Sequence, residues 1–138
     1  MLHATTIIAH RREGGEEQSL YDHVEGVALQ IRRNLTEVGL KQLIPIGDLL
    51  GRLHDVGKAQ PAFQSYIRGE TTAKAPHSAA GALLATSLMY ELSKELQLKK
   101  LPRTSQLLAY AISGHHRGLY DYAELRNKLE EIDCKGRC

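Results

Sequence analysis

The segment from Ile46 to Lys58 most constrains the fold of this chain, because it joins a helical apolar pattern to an adjacent histidine–aspartate pair. Its apolar residues, Ile46, Leu49, Leu50 and Leu53, recur at the spacing of an amphipathic helix. His54 lies four positions after Leu50 and falls on the buried side, and Lys58 follows one turn later. An imidazole beside the Asp55 carboxylate, with an ammonium nearby, suits a metal–phosphate site. A core histidine with two charges at its edge is the plainer alternative, and this segment alone favours neither.

Composition places the chain among ordinary folded proteins and limits what it can bind unaided. With 138 residues, 42% of them hydrophobic and 25% charged, it suits a single core. A net charge of +2 is too small to predict nucleic-acid binding, so a DNA-acting domain would need metals or a partner for positive potential. Both cysteines lie in the last five residues, and no membrane span or signal peptide is apparent, so a reducing cytoplasm and no membrane contact are expected.

Apolar spacing and capping residues predict an all-α chain. Ser19 is a suitable N-cap, glycine ends helices at Gly39 and Gly69, and proline suits the first turn at Pro45 and Pro61. The first nine residues predict a short strand or extended arm, and residues 11–17 predict a loop. The predicted helices begin at Ser19, Pro45, Pro61, His77 and either Pro102 or Ser105, and a last helix carries Leu125, Leu129 and Ile132.

Five histidines fall on or beside the inward faces of four separate helices. Taken alone, His23 is more simply a histidine at the edge of the core, and His77 is more simply a helix cap or a solvated side chain. The adjacent pair His115 and His116, between glycines at the end of an apolar helix, favours a metal role. Together with His54 they predict a shared site, because helices packed on one core can bring these faces together.

The chemistry of this set suits first-row transition metals. Imidazole and carboxylate ligands bind iron, manganese, nickel, cobalt or zinc. Five histidines and Asp55 exceed the needs of one ion, so one or two ions are expected, with Asp55 as the natural bridge. Paired ions about 3.5–4 Å apart clamp a displacement at phosphorus and convert bound water to hydroxide near neutral pH. Lys58 would then bind a phosphate oxygen as a point charge.

Four motifs carry a family resemblance over most of the chain. Leu-x-x-His at 20–23, LHDVGK at 53–58, HSAAGA at 77–82 and GHHRGL at 114–119 resemble the HD nuclease domain of the CRISPR-associated type I interference helicase–nuclease, within the HD superfamily of metal-dependent phosphohydrolases. The resemblance implies an HD-domain helical bundle with a metal site in its centre. It also implies a nuclease that hydrolyses phosphodiester bonds of single-stranded DNA through metal-bound hydroxide in antiviral CRISPR interference. The implied partners are the CRISPR-associated helicase and the RNA-guided surveillance complex.

The resemblance also assigns roles to individual residues. Asp55 and Lys58 would be catalytic, and Lys58, Ser78 and Arg117 would bind the substrate. The family uses a further aspartate well downstream of the histidine pair, whereas this chain ends 22 residues after His116. We therefore expect one HD-type nuclease domain over residues 1–138, which either is shortened at its C-terminal end or holds its first ion weakly. One metal ion would bind His23, His54 and Asp55, and the other would bind Asp55, His77, His115 and His116.

Two other functions stay open on sequence grounds. The HD pair also permits a phosphohydrolase that acts on nucleotides or cyclic nucleotides, although GHHRGL favours the nuclease. The absent downstream aspartate permits a catalytically weak module that docks to a helicase.

Overall fold

The computed structural model describes residues 6–95, 101–116, 118, 121, 123, 124, 126 and 127, and over these residues the chain is mainly helical. The predicted all-α class is confirmed, with one small two-stranded sheet near the N-terminus. The elements are β1 (Ile8–Arg11), β2 (Glu17–Ser19), α1 (Leu20–Glu37), α2 (Ile44–Leu53), α3 (Pro61–Ile67), α4 (Ser78–Glu95) and α5 (Leu101–Gly114). None of the helices in the described part of the chain is long and apolar enough to cross a membrane.

Helix α1 begins and ends at the predicted residues. The Ser19 hydroxyl accepts a hydrogen bond from the Asp22 backbone N–H at 3.0 Å and donates one to the Asp22 carboxylate at 2.6 Å. Such a cap satisfies an N–H group that would otherwise lack a helical partner. Gly39 adopts a φ of 76°, and the Leu40 N–H donates to the Leu35 carbonyl at 2.8 Å. A left-handed residue at this place is a common helix stop, and glycine adopts it without steric cost.

Two glycines of α2 let this helix pack closely on α1. A Cβ atom at Gly51 would lie 2.7 Å from the Cα of Ala28, which is a backbone atom that cannot turn aside. A Cβ atom at Gly47 would lie 2.8 Å from the ends of the Ile31 and Leu35 side chains. The C-terminal end of α2 is therefore held against the middle of α1, three residues before His54.

A strand predicted near the N-terminus is present as β1, and residues 1–5 of the predicted segment lie outside the described residues. β1 pairs antiparallel with β2, with Ile8 opposite Ser19 and His10 opposite Gln18. The predicted loop over 11–17 shortens to a turn over 12–16, in which Arg12 N–H donates to the Glu16 carbonyl at 3.0 Å. β2 was not predicted because its sequence, Glu-Gln-Ser, is polar, and it pairs because the turn brings it back to β1.

Gln64 fixes β1 against the segment that carries the histidine–aspartate pair. Its amide oxygen accepts from the Ile8 N–H at 3.0 Å, and its amide nitrogen donates to the Ile8 carbonyl at 2.9 Å and to the Lys58 carbonyl at 2.8 Å. The amide thereby bridges β1 and the 3₁₀ turn over Val56–Ala59. The hairpin is thus held in place by buried hydrogen bonds as well as by apolar packing.

The chain divides into two compact units, Met1–His77 and Ser78–Cys138. In the second unit α4 and α5 pack on each other, and Ala82 and Ala85 of α4 are buried. The predicted last helix lies largely outside the described residues. The expectation of one domain over 1–138 stays a prediction.

Candidate metal centre

The histidine–aspartate pair lies at a break in the helix. α2 ends at Leu53, His54 keeps helical angles, and Asp55 leaves them with φ −110° and ψ 6° before the 3₁₀ turn begins. A continuous helix would rotate Asp55 about 100° away from His54. The break instead turns the carboxylate inward, and Asp55 is only 2% exposed.

Asp55 is the centre of a group of five side chains in the first unit, here called the Asp55 cluster: His23, His54, Asp55, Lys58 and His77. One carboxylate oxygen, Oδ2, lies 2.9 Å from His23 Nε2, 3.4 Å from His54 Nε2 and 2.8 Å from Lys58 Nζ. The other, Oδ1, lies 3.3 Å from His77 Nε2. The two oxygens therefore face different partners, as a bridging carboxylate requires.

Three donor atoms of this cluster fit a single transition-metal ion. His23 Nε2 and His54 Nε2 are 3.3 Å apart, and they lie 2.9 Å and 3.4 Å from Asp55 Oδ2. Ligands at 2.0–2.2 Å from a metal, separated by angles between 90° and 110°, lie roughly 2.9–3.5 Å from one another. The two imidazoles and the carboxylate thus have the chemistry and the spacing of one face of a metal site.

The hydrogen bond on the far side of His54 selects the tautomer that a metal needs. His54 Nδ1 lies 2.8 Å from the Gly51 carbonyl, which can only accept, so Nδ1 carries the proton in the neutral ring. Nε2 is then unprotonated on the side that faces Asp55. Ligating histidines commonly hold their other ring nitrogen in this way.

Burial favours the neutral form of His23. Loss of water contact lowers the pKa of His23 below its usual value of 6.5, and the neighbouring Asp55 carboxylate opposes this only in part. Neutral imidazole is the form that binds metal.

The His77 side chain packs between Phe63 and Asp55 in the first unit. Its ring meets Phe63 edge-on with centroids 5.1 Å apart, and its side chain is 14% exposed. The plainer alternative of a solvated histidine therefore does not hold, because the ring is packed on one side and directed to Asp55 on the other.

In the second unit, His115 and His116 directly follow α5. Their ring centroids are 4.0 Å apart, and His115 Nδ1 lies 2.5 Å from the Ile112 carbonyl. This repeats the pattern at His54, with the carbonyl three residues earlier holding Nδ1. Ser78 is the first residue of α4, and Arg117 lies outside the described residues.

One histidine beside the Asp55 cluster, His10, was not predicted from the sequence. His10 lies on β1, with its ring 4.6 Å from that of His23 and its Nε2 3.2 Å from Lys58 Nζ. Ligand atoms of His10, His23 and Asp55 all lie within 4.8 Å of one another. The only available signal was a histidine after the apolar run Ile-Ile-Ala, and a short strand offers no helical spacing from which to infer its direction.

The fold and the cluster together define a helical domain of the HD type, with a histidine–aspartate centre able to hold metal. The chain belongs to the family described as Cas3, HD domain, which matches residues 17–137. Membership confirms the resemblance seen in the motifs, and it indicates a hydrolase of the metal-dependent nuclease class that acts with the CRISPR helicase on nucleic acid. No curated protein and no solved structure matches the chain.

Proposed function

We propose that this chain is a metal-dependent nuclease that hydrolyses phosphodiester bonds of single-stranded DNA in CRISPR interference. The observation that carries the proposal is the convergence of His23, His54 and Asp55 with donor atoms 2.9–3.4 Å apart. Family membership supports the class of reaction. The preference for a single strand rests on the resemblance of the motifs and on the expectation that a narrow cleft between helices admits one strand.

The proposed ligand sets follow the chain's own donors. His23, His54 and Asp55 would hold one ion, and Asp55 would share a second ion with His77, His115 and His116. Iron, manganese, nickel, cobalt and zinc all suit such donors. When bound, the ions would activate water and neutralise the charge on the phosphate under attack.

The protein's own contribution is to hold these donors in place before substrate arrives. The Gly51 carbonyl fixes the ring of His54, and the Phe63 ring packs on His77. The burial of Asp55 excludes water from the carboxylate, which strengthens its attraction for a cation. Metal ligands that are already oriented do not have to be ordered when the ion binds.

Substrate and partner contacts complete the proposal. Ser78 and Arg117 would contact the DNA backbone, and the CRISPR-associated helicase would deliver the strand exposed by the surveillance complex. With a net charge of only +2, the domain depends on its ions and on the helicase to attract a polyanion. Phosphate contact by Lys58 stays a prediction.

Cleavage of labelled single-stranded DNA tests the proposal. Purified protein should cleave it with added Mn²⁺, should lose this activity on chelation, and should act weakly on double-stranded DNA. Asp55→Asn should abolish cleavage, because the amide has no charge with which to bind or bridge ions. Asp48→Asn is the matched control, since its carboxylate pairs with Arg32 and Arg52 outside the Asp55 cluster.

Three results would count against the proposal. Metal-dependent cleavage by Asp55→Asn would refute the role of Asp55. Hydrolysis of free nucleotides without cleavage of DNA would favour the nucleotide phosphohydrolase. Absence of both activities and of bound metal would favour a module that docks to the helicase.

A further inference from the structure

The Lys58 ammonium is fully occupied by contacts inside the first unit. The residue is only 3% exposed. Its Nζ lies 2.8 Å from Asp55 Oδ2, 3.3 Å from the Ala9 carbonyl oxygen and 3.2 Å from His10 Nε2. An ammonium has three N–H donors and no acceptor, so these three partners match its donors one for one.

We propose that His10 is a positioning residue of the metal centre, which acts through Lys58 on Asp55. His10 and the Ala9 carbonyl hold the ammonium, and the ammonium holds the bridging carboxylate. This inference rests on the proposed function, because it takes Asp55 to be a metal ligand. It assigns a role to β1, which precedes the residues that match the family.

The direction of the hydrogen bonds follows from the chemistry of the donors. Because lysine can only donate, His10 Nε2 must accept, and the proton of the neutral ring lies on Nδ1. β1 offers a firm base for this contact, since Gln64 binds both backbone groups of Ile8 and Gln18 lies opposite His10 across the hairpin.

The position of Lys58 leaves room for an ion on Asp55. A carboxylate oxygen has two lone pairs, so Oδ2 can accept from the ammonium and still bind a metal. Hydrogen bonds to ligating carboxylates fix their orientation, and loss of such outer partners typically lowers metal affinity 10- to 100-fold. Removal of His10 should therefore lower the affinity for the metal ion, although every metal ligand is unchanged.

A direct ligand role for His10 is less favoured by the contacts. One ring nitrogen of His10, one of His23 and one carboxylate oxygen of Asp55 lie within 4.8 Å of one another, which would suffice for a loose site. However, Nε2 has a single lone pair, which already accepts from the Lys58 ammonium 3.2 Å away, so this nitrogen has none left for a metal ion.

Mn²⁺ titration calorimetry on the whole chain separates these roles. His10→Ala removes the acceptor, and it should weaken Mn²⁺ binding roughly 10- to 100-fold. His10→Gln carries an amide oxygen close to the position of Nε2, so it should restore the affinity of the wild type. Gln18→Ala, opposite His10 on β2, is the control and should bind as the wild type does. Circular dichroism should show the same helical content in all variants, since His10 is exposed on the hairpin.

Each other result overturns the inference. Unchanged Mn²⁺ affinity in His10→Ala would remove any role for His10 at the metal. Equal loss in His10→Gln and His10→Ala would make His10 a ligand instead. If His10→Ala kept the Mn²⁺ affinity of the wild type but had a raised KM for single-stranded DNA, Lys58 would instead bind the substrate. Absence of Mn²⁺ binding by the wild-type chain would instead refute the proposed function on which the inference rests.

Discussion

Asp55 and Lys58 are buried together, and each makes the burial of the other tolerable. Their side chains are 3% and 4% exposed, with 2.8 Å between Nζ and Oδ2. A buried charge without a partner is costly, whereas a hydrogen-bonded pair is tolerated. In the metal-free protein, Lys58 therefore supplies much of the positive charge that balances Asp55.

This pairing predicts a large effect of Lys58→Met on the metal-free protein. Loss of the ammonium leaves the Asp55 carboxylate without its closest cation, and the free energy of unfolding should fall by about 3–5 kcal/mol. Urea unfolding in the presence of a chelator measures it, with the exposed Lys41→Met as control. The double variant Lys58→Met with Asp55→Asn should lose less than the sum of the two single changes. Additive losses would show that the two groups do not depend on each other.

Loss of the Gln64 amide is also expected to lower the free energy of unfolding. Gln64→Leu leaves the backbone groups of Ile8 and the Lys58 carbonyl without their partner, and each unsatisfied buried group costs about 1–3 kcal/mol. Thermal or urea unfolding should show a loss of at least that size. Gln30→Leu is the control, because the Gln30 amide donates to the Asn34 side chain on an exposed part of α1. Equal stability of the two variants would mean that the amide does not anchor β1.

At the scale of elements, the close packing of α1 and α2 brings His23 and His54 together. Gly51 meets the backbone of Ala28, whereas Gly26 in the same pair of helices has nothing within 4 Å of an added Cβ. The two glycines therefore predict opposite responses to the same substitution.

Gly51→Ala should destabilise the protein and weaken metal binding, because α2 must move away from α1 to admit the methyl group. Overpacking of this kind typically costs about 1–3 kcal/mol. Gly26→Ala should stabilise the protein by about 0.5–1 kcal/mol, since alanine is the better helix former. Unfolding midpoints measure both changes. A Gly51→Ala protein as stable as Gly26→Ala would contradict the close approach of the helices.

Most of the helical elements could be predicted from the sequence because their signals are local. Ser19 caps α1, Pro61 begins α3, and Gly39 takes the left-handed conformation that ends a helix. The break at Asp55 could not be predicted from the sequence, because the apolar spacing is the same for a helix that continues and for one that tightens into a 3₁₀ turn. β2 could not be predicted either, because it pairs through the turn and β1, and its own side chains carry no strand pattern.

At the scale of the whole molecule, the site depends on contacts between segments that are distant in sequence. The motifs single out five histidines, and the structure brings three of them, His23, His54 and His77, to Asp55 within the first unit. His10 escaped prediction because its role arises from a hydrogen bond between residues 48 positions apart. Ligand sharing with His115 and His116 stays part of the proposal.

If the side chains around Asp55 form a metal centre, the purified chain should bind Mn²⁺ in a fixed stoichiometry that depends on Asp55. We expect one or two ions per wild-type chain and none bound to Asp55→Asn, whereas Asp48→Asn should bind as many as the wild type. A wild-type chain that binds no Mn²⁺, nickel or iron, or an Asp55→Asn variant that binds as many ions as the wild type, would contradict this expectation.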